Sequence, residues 1–272
     1  MNSDQSMSLH VLSLGAGVQS STMALMAARG EIGPMPEAAI FADVGDEPKA
    51  VYDYLDYLKG LLPFPVIVVS KGKLSELSTR VRTSRKTGQT YTKPGIPAFM
   101  LRANGERGMM QRQCTLTMKI EPVQSMAKKL AGRGRSIVTW LGISTDEVIR
   151  MKPSRDKRIT HRWPLIEAGV SRKACLAWMA ERGYKTPPRS ACVYCPYHSN
   201  AEWMRIKTEQ PEDFAAAVDY ERRLQSAYAA CPRLDGTPFL HASRKPLGDV
   251  DFDDRTTHGE LWGNECEGMC GL

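Results

Sequence analysis

The chain has 272 residues, 42% of them hydrophobic, which suffices to bury a full core in one large domain or in a domain with an appendage. No apolar run approaches the roughly 18 residues of a membrane helix, and the first residues, MNSDQSMS, lack the basic and apolar regions of a signal peptide. Composition therefore argues against a membrane protein and predicts a cytoplasmic one. The net charge of +7 favours polyanionic partners.

Strands and helices alternate along the first half of the chain. Apolar runs predict strands at 10–14, 38–43, 66–70 and 136–142, and helical patterns lie at 20–29, 49–59, 73–80 and 116–130. Such alternation implies parallel pairing, so we predict a doubly wound, mainly parallel α/β sheet. We assign a nucleotide-binding domain to residues 1–165.

The remaining segments are less regular. Residues 82–113 contain glycines and prolines without a clean period and predict a long loop of the kind that often serves function. Ser171 predicts the start of a helix to about residue 182, and helical runs follow from 201 and from 211 to 229, before an irregular tail. We predict that residues 166–272 form a helical, cysteine-bearing region that completes the site.

The loop LSLGAGVQSST joins the first strand to the first helix. In a parallel sheet this loop lies at the carboxyl edge, where the next helix presents unpaired N–H groups to an anion. Gly15, Ala16 and Gly17 allow a tight turn around phosphate, and Ser20, Ser21 and Thr22 are expected to cap the helix and donate to phosphate oxygens. A capped helix after a tight turn also occurs in α/β proteins without a nucleotide, and the loop is neither a Walker loop nor a Gly-x-Gly-x-x-Gly fingerprint.

Charged residues follow the other predicted strands. Asp43 ends the second strand, and Asp146, Glu147 and Arg150 follow the fourth, so all are expected at the same crevice. Lys119 lies one helical turn after Cys114 and could reach phosphate.

The chain has seven cysteines, an odd number. In a reducing compartment they are expected to be free thiols or metal ligands rather than a disulfide framework. Cys192 and Cys195 form a Cys-x-x-Cys before a proline, and Cys266 and Cys270 form a second pair. This spacing suits Zn²⁺, a 4Fe-4S cluster or thiol exchange. Cys175 and Cys231 are interpreted as buried apolar residues.

Two runs of basic residues supply much of the positive charge. They are either solvated loops or phosphate-binding surfaces for tRNA or DNA, and neither carries enough aromatics for a stacking platform. The runs comprise Arg80, Arg82, Arg85, Lys86 and Lys93, and Arg150, Lys152, Arg155, Lys157, Arg158 and Arg162.

Several blocks resemble the phosphoadenosine-phosphosulfate reductase-like branch of the adenine-nucleotide α-hydrolase, or PP-loop, superfamily. Gly15 to Ser20 occupies the frame of the family's Ser-Gly-Gly-x-Asp-Ser loop, and Asp43-Val44-Gly45 matches its Asp-Thr-Gly. RQCTLTMKIEP at 112–122, GISTDEVIR at 142–150 and ACVYCPY at 191–197 are also similar to that branch. Gln19 stands where the family has its loop aspartate, and Gln113 replaces the first cysteine of an adjacent pair.

The resemblance implies a site that binds ATP or another adenine nucleotide, with or without Mg²⁺, beside a 4Fe-4S cluster, with zinc as the alternative. It implies nucleotide contacts from Ser13, Gly15, Ala16, Gly17, Val18, Gln19, Ser20, Ser21, Asp43, Gly142, Asp146 and Arg150. The implied metal ligands are Cys114, Cys192, Cys195 and Cys266, and the implied catalytic residues are Cys270, Asp43 and Lys119.

Three functions are compatible with this interpretation. The first is ATP-driven adenylation and thiolation of a nucleic acid or related substrate at an iron-sulfur site. The second is reduction of an adenylyl or phosphoadenylyl sulfate by a C-terminal cysteine. Either enzyme would need a thiol reductant or a sulfur donor protein. The third is a non-catalytic iron-sulfur sensor or regulator, which Gln19 and the single Cys114 favour.

Overall fold

The computed structural model describes residues 8–93, 95–231 and 234–253. Its strands are β1 (Ser8–Leu14), β2 (Ala38–Asp43), β3 (Val66–Ser70), β4 (Arg82–Thr83), β5 (Thr90–Tyr91), β6 (Phe99–Leu101), β7 (Arg107–Met109), β8 (Ser136–Leu141), β9 (Ile159–Arg162) and β10 (Thr237–Phe239). Its α-helices are α1 (Val18–Ala28), α2 (Lys49–Lys59), α3 (Leu74–Thr79), α4 (Glu121–Ala131), α5 (Pro164–Glu167), α6 (Arg172–Glu181), α7 (Asn200–Glu209) and α8 (Pro211–Ala229).

Five strands form the central sheet in the order β3-β2-β1-β8-β9, and every neighbouring pair is parallel. One face, which includes Leu12 and Phe41, packs with α1, α2 and α6, whereas the other, which includes Val11 and Ile40, packs with α4. The prediction of a doubly wound parallel α/β fold is confirmed. The direction of strand succession reverses between β1 and β8, and such a switch point opens a crevice at the carboxyl ends of the strands.

The prediction of a long loop at 82–113 is wrong. Residues 82–113 contain the hairpin β4-β5 and the strands β6 and β7, which form a second sheet with β10. The second basic run ends in β9, the edge strand of the main sheet. These strands are two to four residues long, too short for a period to show, and β10 pairs with a strand far away in the sequence.

The predicted helix at 116–130 is a composite. A π-helix over Thr115–Ile120 runs directly into α4, and Pro122 lies in the first turn of α4. Proline cannot donate to the preceding turn, and the wider π-turns accommodate that missing bond.

A second core lies under α7 and α8. Trp203, Tyr220 and Leu224 from these helices pack with Ile96 and Val193, and Cys114 and Cys192 lie against this cluster. Helix α6 instead contributes Cys175 and Met179 to the core around α1. The domain boundary at residue 165 stays a prediction.

The structure contains no helix, among the residues it describes, that is both long and apolar enough to cross a bilayer.

Candidate functional site

The loop after β1 makes the tight turn that its composition predicts. Ala16 has φ +55°, a left-handed conformation that glycine adopts more easily, and its side chain is fully buried. Helix α1 begins at Val18 with Gly17 as its N-cap residue and no side-chain cap, so the prediction that hydroxyls cap this helix is wrong. The Ser20 hydroxyl instead accepts from Gly15 N at 3.1 Å and donates to the Gly17 carbonyl at 3.3 Å. It thereby holds the loop closed.

Gln19 is buried and fully engaged with the protein. Its Nε2 donates to Glu147 Oε2 at 3.1 Å and to Ser144 Oγ at 3.4 Å. Its Oε1 accepts from Arg172 Nη1 at 3.0 Å. The amide therefore ties α1 to the turn after β8 and to the start of α6. An aspartate at this position could not donate to Glu147, so the glutamine makes a link that the family's loop aspartate could not make.

The end of β8 lies against the first turn of α1. A Cβ on Gly142 would lie 2.7 Å from both Cα and N of Ser20. Only a glycine allows the two backbones to approach so closely. This contact brings β1 and β8 together at the switch point and places Gly142 beside the loop, while its contact with a nucleotide stays a prediction.

The 3₁₀-helix at Thr145–Arg150 carries the charged residues that follow β8. Asp146 accepts from the Arg172 backbone N–H at 2.9 Å, and although burial opposes it, this bond and the Ser144 hydroxyl lower the pKa of Asp146. Arg150 Nη1 contacts Glu147 Oε1 at 2.5 Å. Its Nε and Nη2 are buried and have no hydrogen-bond partner within the described ranges. Arg150 thus retains donors for an anion.

The loop after β2 connects the nucleotide edge to the cysteines. Asp43 Oδ1 accepts from Gly45 N at 2.7 Å and from the Tyr52 hydroxyl at 2.8 Å. Asp46 accepts from the backbone and hydroxyl of Ser75 at 2.8 and 2.9 Å and also from the Tyr194 hydroxyl. Asp46 therefore fixes this loop to α3 and to the Cys-x-x-Cys loop.

Lys119 forms an ion pair beside this loop. Its Nζ lies 3.0 Å from Glu47 Oε1, with the lysine side chain 17% exposed and the glutamate 1% exposed. Glu47 Oε2 is buried and has no hydrogen-bond partner among the residues described. A buried carboxylate is stable only with compensating charge, so the ion pair with Lys119 is what stabilises Glu47 in this position.

Three cysteines line one cavity, although Cys114 is far in sequence from Cys192 and Cys195. Arg112 and Lys119 line the same cavity, and so do Val44 and Ala191, which adjoin Asp43 and Ser190. The hydrogen bond that the Cys192 thiol donates to Cys195, then burial and the nearby Cys195, Glu47 and Cys114, hold the pKa of Cys192 well above its usual value.

These thiols are not arranged around a single ion. Within the described part of the chain, no three His, Cys, Asp or Glu side chains form a group that could hold a metal ion. A tetrahedral zinc ion needs its ligands to meet at one point, whereas an iron-sulfur cluster is held by thiolates distributed over its several iron atoms. The 4Fe-4S cluster, with zinc as the alternative, stays a prediction.

His198 supports the Cys-x-x-Cys loop from behind. Its Nε2–H donates to the Cys192 carbonyl at 3.1 Å, so it contacts the backbone of this loop. Burial lowers the pKa of His198 to about 4, so the ring is neutral at physiological pH. Cys175 and Cys231 are buried, 0% and 1% exposed, in agreement with their interpretation as apolar residues.

The structure thus brings the predicted residues of the described chain to one sheet edge. Ser13 and Ser21 are buried at the end of β1 and in the first turns of α1. Cys266 and Cys270 lie outside the described residues, so their predicted roles stay predictions. No sequence pattern singled out Asp46, Arg172 or Ser190, whose hydroxyl donates to the Gly15 carbonyl. Only their long-range contacts reveal them.

No protein-family model matches the chain, and no curated protein matches it closely enough to count as a relative. Among solved structures, it is similar to phosphoadenylyl-sulfate (PAPS) reductase from Candida auris in a phosphate complex. That likeness has a TM-score of 0.39 at 12% identity and covers 66% of this chain and 75% of the reductase chain. At this level it carries no argument about function. The resemblance to the reductase-like branch rests on the sequence blocks, and the parallel sheet that carries them agrees with it.

Proposed function

We propose that this protein is an enzyme of adenine-nucleotide-dependent sulfur chemistry. The observation that carries the proposal is the cavity in which Cys114, Cys192 and Cys195 meet Lys119, directly beside the loop after β1. Ala191 lines that cavity, and its neighbour Ser190 bonds to Gly15 in the loop. A sulfur atom held in the cavity would therefore face a nucleotide held at the start of α1.

The nucleotide's phosphates would bind at the N-terminus of α1. The first turn supplies unpaired backbone N–H groups and the positive end of a helix dipole. Arg150, with two buried N–H groups that have no partner in the described residues, would add a charged donor. Lys119 would contact phosphate while remaining paired with Glu47, and Asp43 would face the ribose or a Mg²⁺ ion through its second oxygen.

The cofactor that we propose is a 4Fe-4S cluster, with zinc as the less favoured alternative. Cys114, Cys192 and Cys195 would hold it, and Cys266 is the proposed fourth ligand. When bound, such a cluster supplies an iron that can carry sulfide or exchange electrons. The protein contributes the surrounding charges, because Lys119 and Arg112 line the same cavity and would offset the negative charge of the thiolates.

The reaction we favour is thiolation of a nucleic acid or a related substrate. An oxygen of the substrate attacks the α-phosphorus of ATP and releases pyrophosphate. Sulfide, delivered by a sulfur donor protein, then forms the new carbon–sulfur bond and displaces AMP with that oxygen. Arg150 and Lys119 would stabilise the charge that develops on the phosphate.

The alternative enzyme is an adenylyl or phosphoadenylyl sulfate reductase. A Cys270 thiolate would attack the sulfur of the sulfate, forming a thiosulfonate and releasing AMP from adenylyl sulfate or adenosine 3′,5′-bisphosphate from phosphoadenylyl sulfate. A thiol reductant would then release sulfite and leave a disulfide. This reaction needs the same phosphate contacts but no nucleic-acid surface.

One observation favours a regulator that binds nucleotide without turnover. Gln19 is committed to Glu147, Ser144 and Arg172, and the residues from Ala16 to Ser21 are all buried under that network. A sensor would bind adenine nucleotide and release no pyrophosphate.

The first experiment is anaerobic purification with measurement of iron, acid-labile sulfide, zinc and the visible spectrum. Cys192→Ala is compared with the wild type, and Cys231→Ala is the matched control, because Cys231 is buried outside the cysteine cavity. Iron and sulfide that disappear only in Cys192→Ala support the proposal. Zinc, or a folded protein without metal, would contradict the cluster.

Substrate assays then separate the alternatives. Labelled sulfur that reaches RNA or DNA with ATP supports thiolation. Sulfite formed from an adenylyl sulfate supports the reductase. Nucleotide binding without either product supports the regulator.

A further inference from the structure

A second cavity, of about 490 Å³, lies on the other side of Arg112 from the cysteines. The π-helix and α4 form one wall, and the segment between the 3₁₀-helix and β9 forms the other. The lining residues are Arg112, Leu116, Ile120, Glu121, Gln124, Pro153, Ser154, Arg155, Asp156 and His161. We call this cavity the flank groove. Its volume lies within the range of small-molecule sites.

From this groove we infer that the protein binds one nucleotide of a single-stranded nucleic acid, with the base inside and the adjoining phosphates on the basic segment at 152–157. The inference rests on the proposed function, for which it names the acceptor. The chemistry is shared by RNA and DNA, and in the test below tighter binding of oligo-U indicates RNA, whereas tighter binding of oligo-dT indicates DNA.

The charge of the flank groove favours an anionic chain. Its two carboxylates are already paired, Glu121 with Lys71 at 2.5 Å and Asp156 with Lys128. Arg155 is exposed and has no carboxylate partner within the described ranges, and the same holds for Lys152 and Lys157 beside it. This wall therefore carries three positive charges without a carboxylate partner, and such a cluster is typical of surfaces that contact phosphates.

The basic wall is held in place before any ligand binds. Arg158 Nη2 donates to the carbonyls of Gly132 and Arg135, at 2.6 and 3.2 Å, which anchors the segment to the end of α4. Asp156 Oδ1 accepts from Arg158 N at 2.9 Å and closes the turn. A preformed wall loses less entropy on binding than a disordered loop would.

The interior of the groove suits a base. Leu116, which is 50% exposed, and the exposed Pro153 offer apolar surface for the faces of a ring. The groove has no Phe, Tyr or Trp among its described lining residues, and the Arg112 guanidinium already lies over the ring of Tyr197, 5.2 Å from its centroid. The exposed guanidinium of Arg155 is therefore the stacking surface, as in many RNA sites.

Two polar side chains are placed to read the edge of that base. His161 Nδ1 lies 2.9 Å from the Lys152 carbonyl, so Nδ1 carries the proton and Nε2 is left as an acceptor. Gln124 on α4 offers both a donor and an acceptor. A base has donors and acceptors on one edge, whereas a simple anion would leave this pair unused.

The first test measures the anisotropy of fluorescein-labelled oligo-U and oligo-dT over a salt series, without ATP. The double variant Lys152→Ala/Arg155→Ala is expected to lower the slope of log affinity against log salt by about 0.7 for each phosphate that the variant no longer neutralises. Lys173→Ala is the matched control, since this exposed lysine lies on α6, across the sheet. An unchanged slope in the double variant, or the absence of oligonucleotide binding, would overturn the inference.

A second test locates the base. An oligonucleotide that contains one 4-thiouridine is photo-crosslinked, and the attached peptide is identified by mass spectrometry. We expect crosslinks within 112–124 or 153–161 that Gln124→Ala weakens; crosslinks elsewhere would refute the site. Free uridine monophosphate that competes as well as the oligonucleotide would also refute binding of a polynucleotide.

The proposed function and the proposed nucleic-acid site can be refuted independently. Binding to the flank groove needs no cysteine, so Cys192→Ala protein should bind the oligonucleotide as the wild type does even if its metal is absent. If metal content and nucleotide binding hold while oligonucleotide binding fails, the groove assignment alone is wrong. If Cys192→Ala also fails to bind the oligonucleotide while remaining folded, the groove is not an independent site and the inference falls.

Discussion

The close approach of Gly142 to α1 makes a quantitative prediction about the loop after β1. In Gly142→Ala the new Cβ would lie 2.7 Å from Cα and N of Ser20, whereas ordinary contacts begin at 3.4 Å. The backbones must therefore separate by about 0.7 Å, since both of these Ser20 atoms belong to the main chain and cannot rotate away as a side chain could. Overpacking of this kind costs about 1–3 kcal/mol.

The expected result is a lower melting temperature and weaker nucleotide binding together. A destabilisation of 1–3 kcal/mol corresponds to roughly 2–12 °C in a chain of this size. The displaced backbone N–H groups of α1 should lower ATP affinity by about tenfold, roughly 1.4 kcal/mol. Thermal unfolding and titration with a fluorescent ATP analogue measure the two effects.

Gly134→Ala is the matched control, because Gly134 precedes the same strand and a Cβ there would meet nothing within 4 Å. It should leave the protein unchanged or stabilise it by about 0.4–1 kcal/mol. Equal melting temperatures for the two variants would refute the packing argument. A destabilised Gly142→Ala protein that binds ATP normally would instead refute the phosphate site.

Two further predictions concern buried polar groups. Gln19→Ala should lower the free energy of unfolding by about 1–3 kcal/mol, because Glu147 and Arg172 lose buried partners. Urea unfolding should show a lower midpoint with an unchanged m-value. Gln89→Ala is the control and should show no change, because Gln89 is exposed. Glu221→Gln should cost a similar amount, since two backbone N–H groups donate to its separate oxygens, each at 2.7 Å, and an amide offers only one acceptor. Burial raises the pKa of Glu221, so the folded protein binds more protons than the unfolded chain. The difference in free energy of unfolding between the wild type and Glu221→Gln should therefore shrink as pH rises from about 4.3 through the raised pKa. A growing advantage over that range would contradict this sign.

The central sheet was predictable because each of its first three strands is an apolar run with its own helix signal nearby. HVLSL and AAIFAD are apolar over most of their length, as strands covered on both faces must be, and VIVVS is apolar although β3 is an edge strand and only partly buried. Strand β9 carries Thr160, His161 and Arg162 at the sheet edge and so lacks that signature. Strand β9 forms because it pairs with β8, and a contact between distant segments cannot be seen in the local sequence.

The candidate site was predictable in position but not in its connections. Gly15, Asp43 and Gly142 follow strand ends, and the topology of a parallel sheet alone brings strand ends to one edge. The hydrogen bonds of Gln19 could not be predicted from the sequence, because its partners Glu147 and Arg172 lie on two later elements. A glutamine inside a helix ordinarily faces solvent.

The order of contacts across the sheet edge links the two proposed ligands. Ser190 joins the loop after β1 to the Cys-x-x-Cys loop, the cysteine cavity ends at Arg112, and Arg112 also lines the flank groove. A nucleotide at α1 and a base in the groove would thus both lie next to the cavity that contains the thiols. Thiolation requires all three to meet, because the base oxygen must reach the α-phosphorus and sulfur must then reach the carbon as AMP leaves. Reduction of an adenylyl sulfate would need only the nucleotide and a thiol. A flank groove that binds oligonucleotide would therefore favour thiolation over reduction on geometric grounds, before any product is measured.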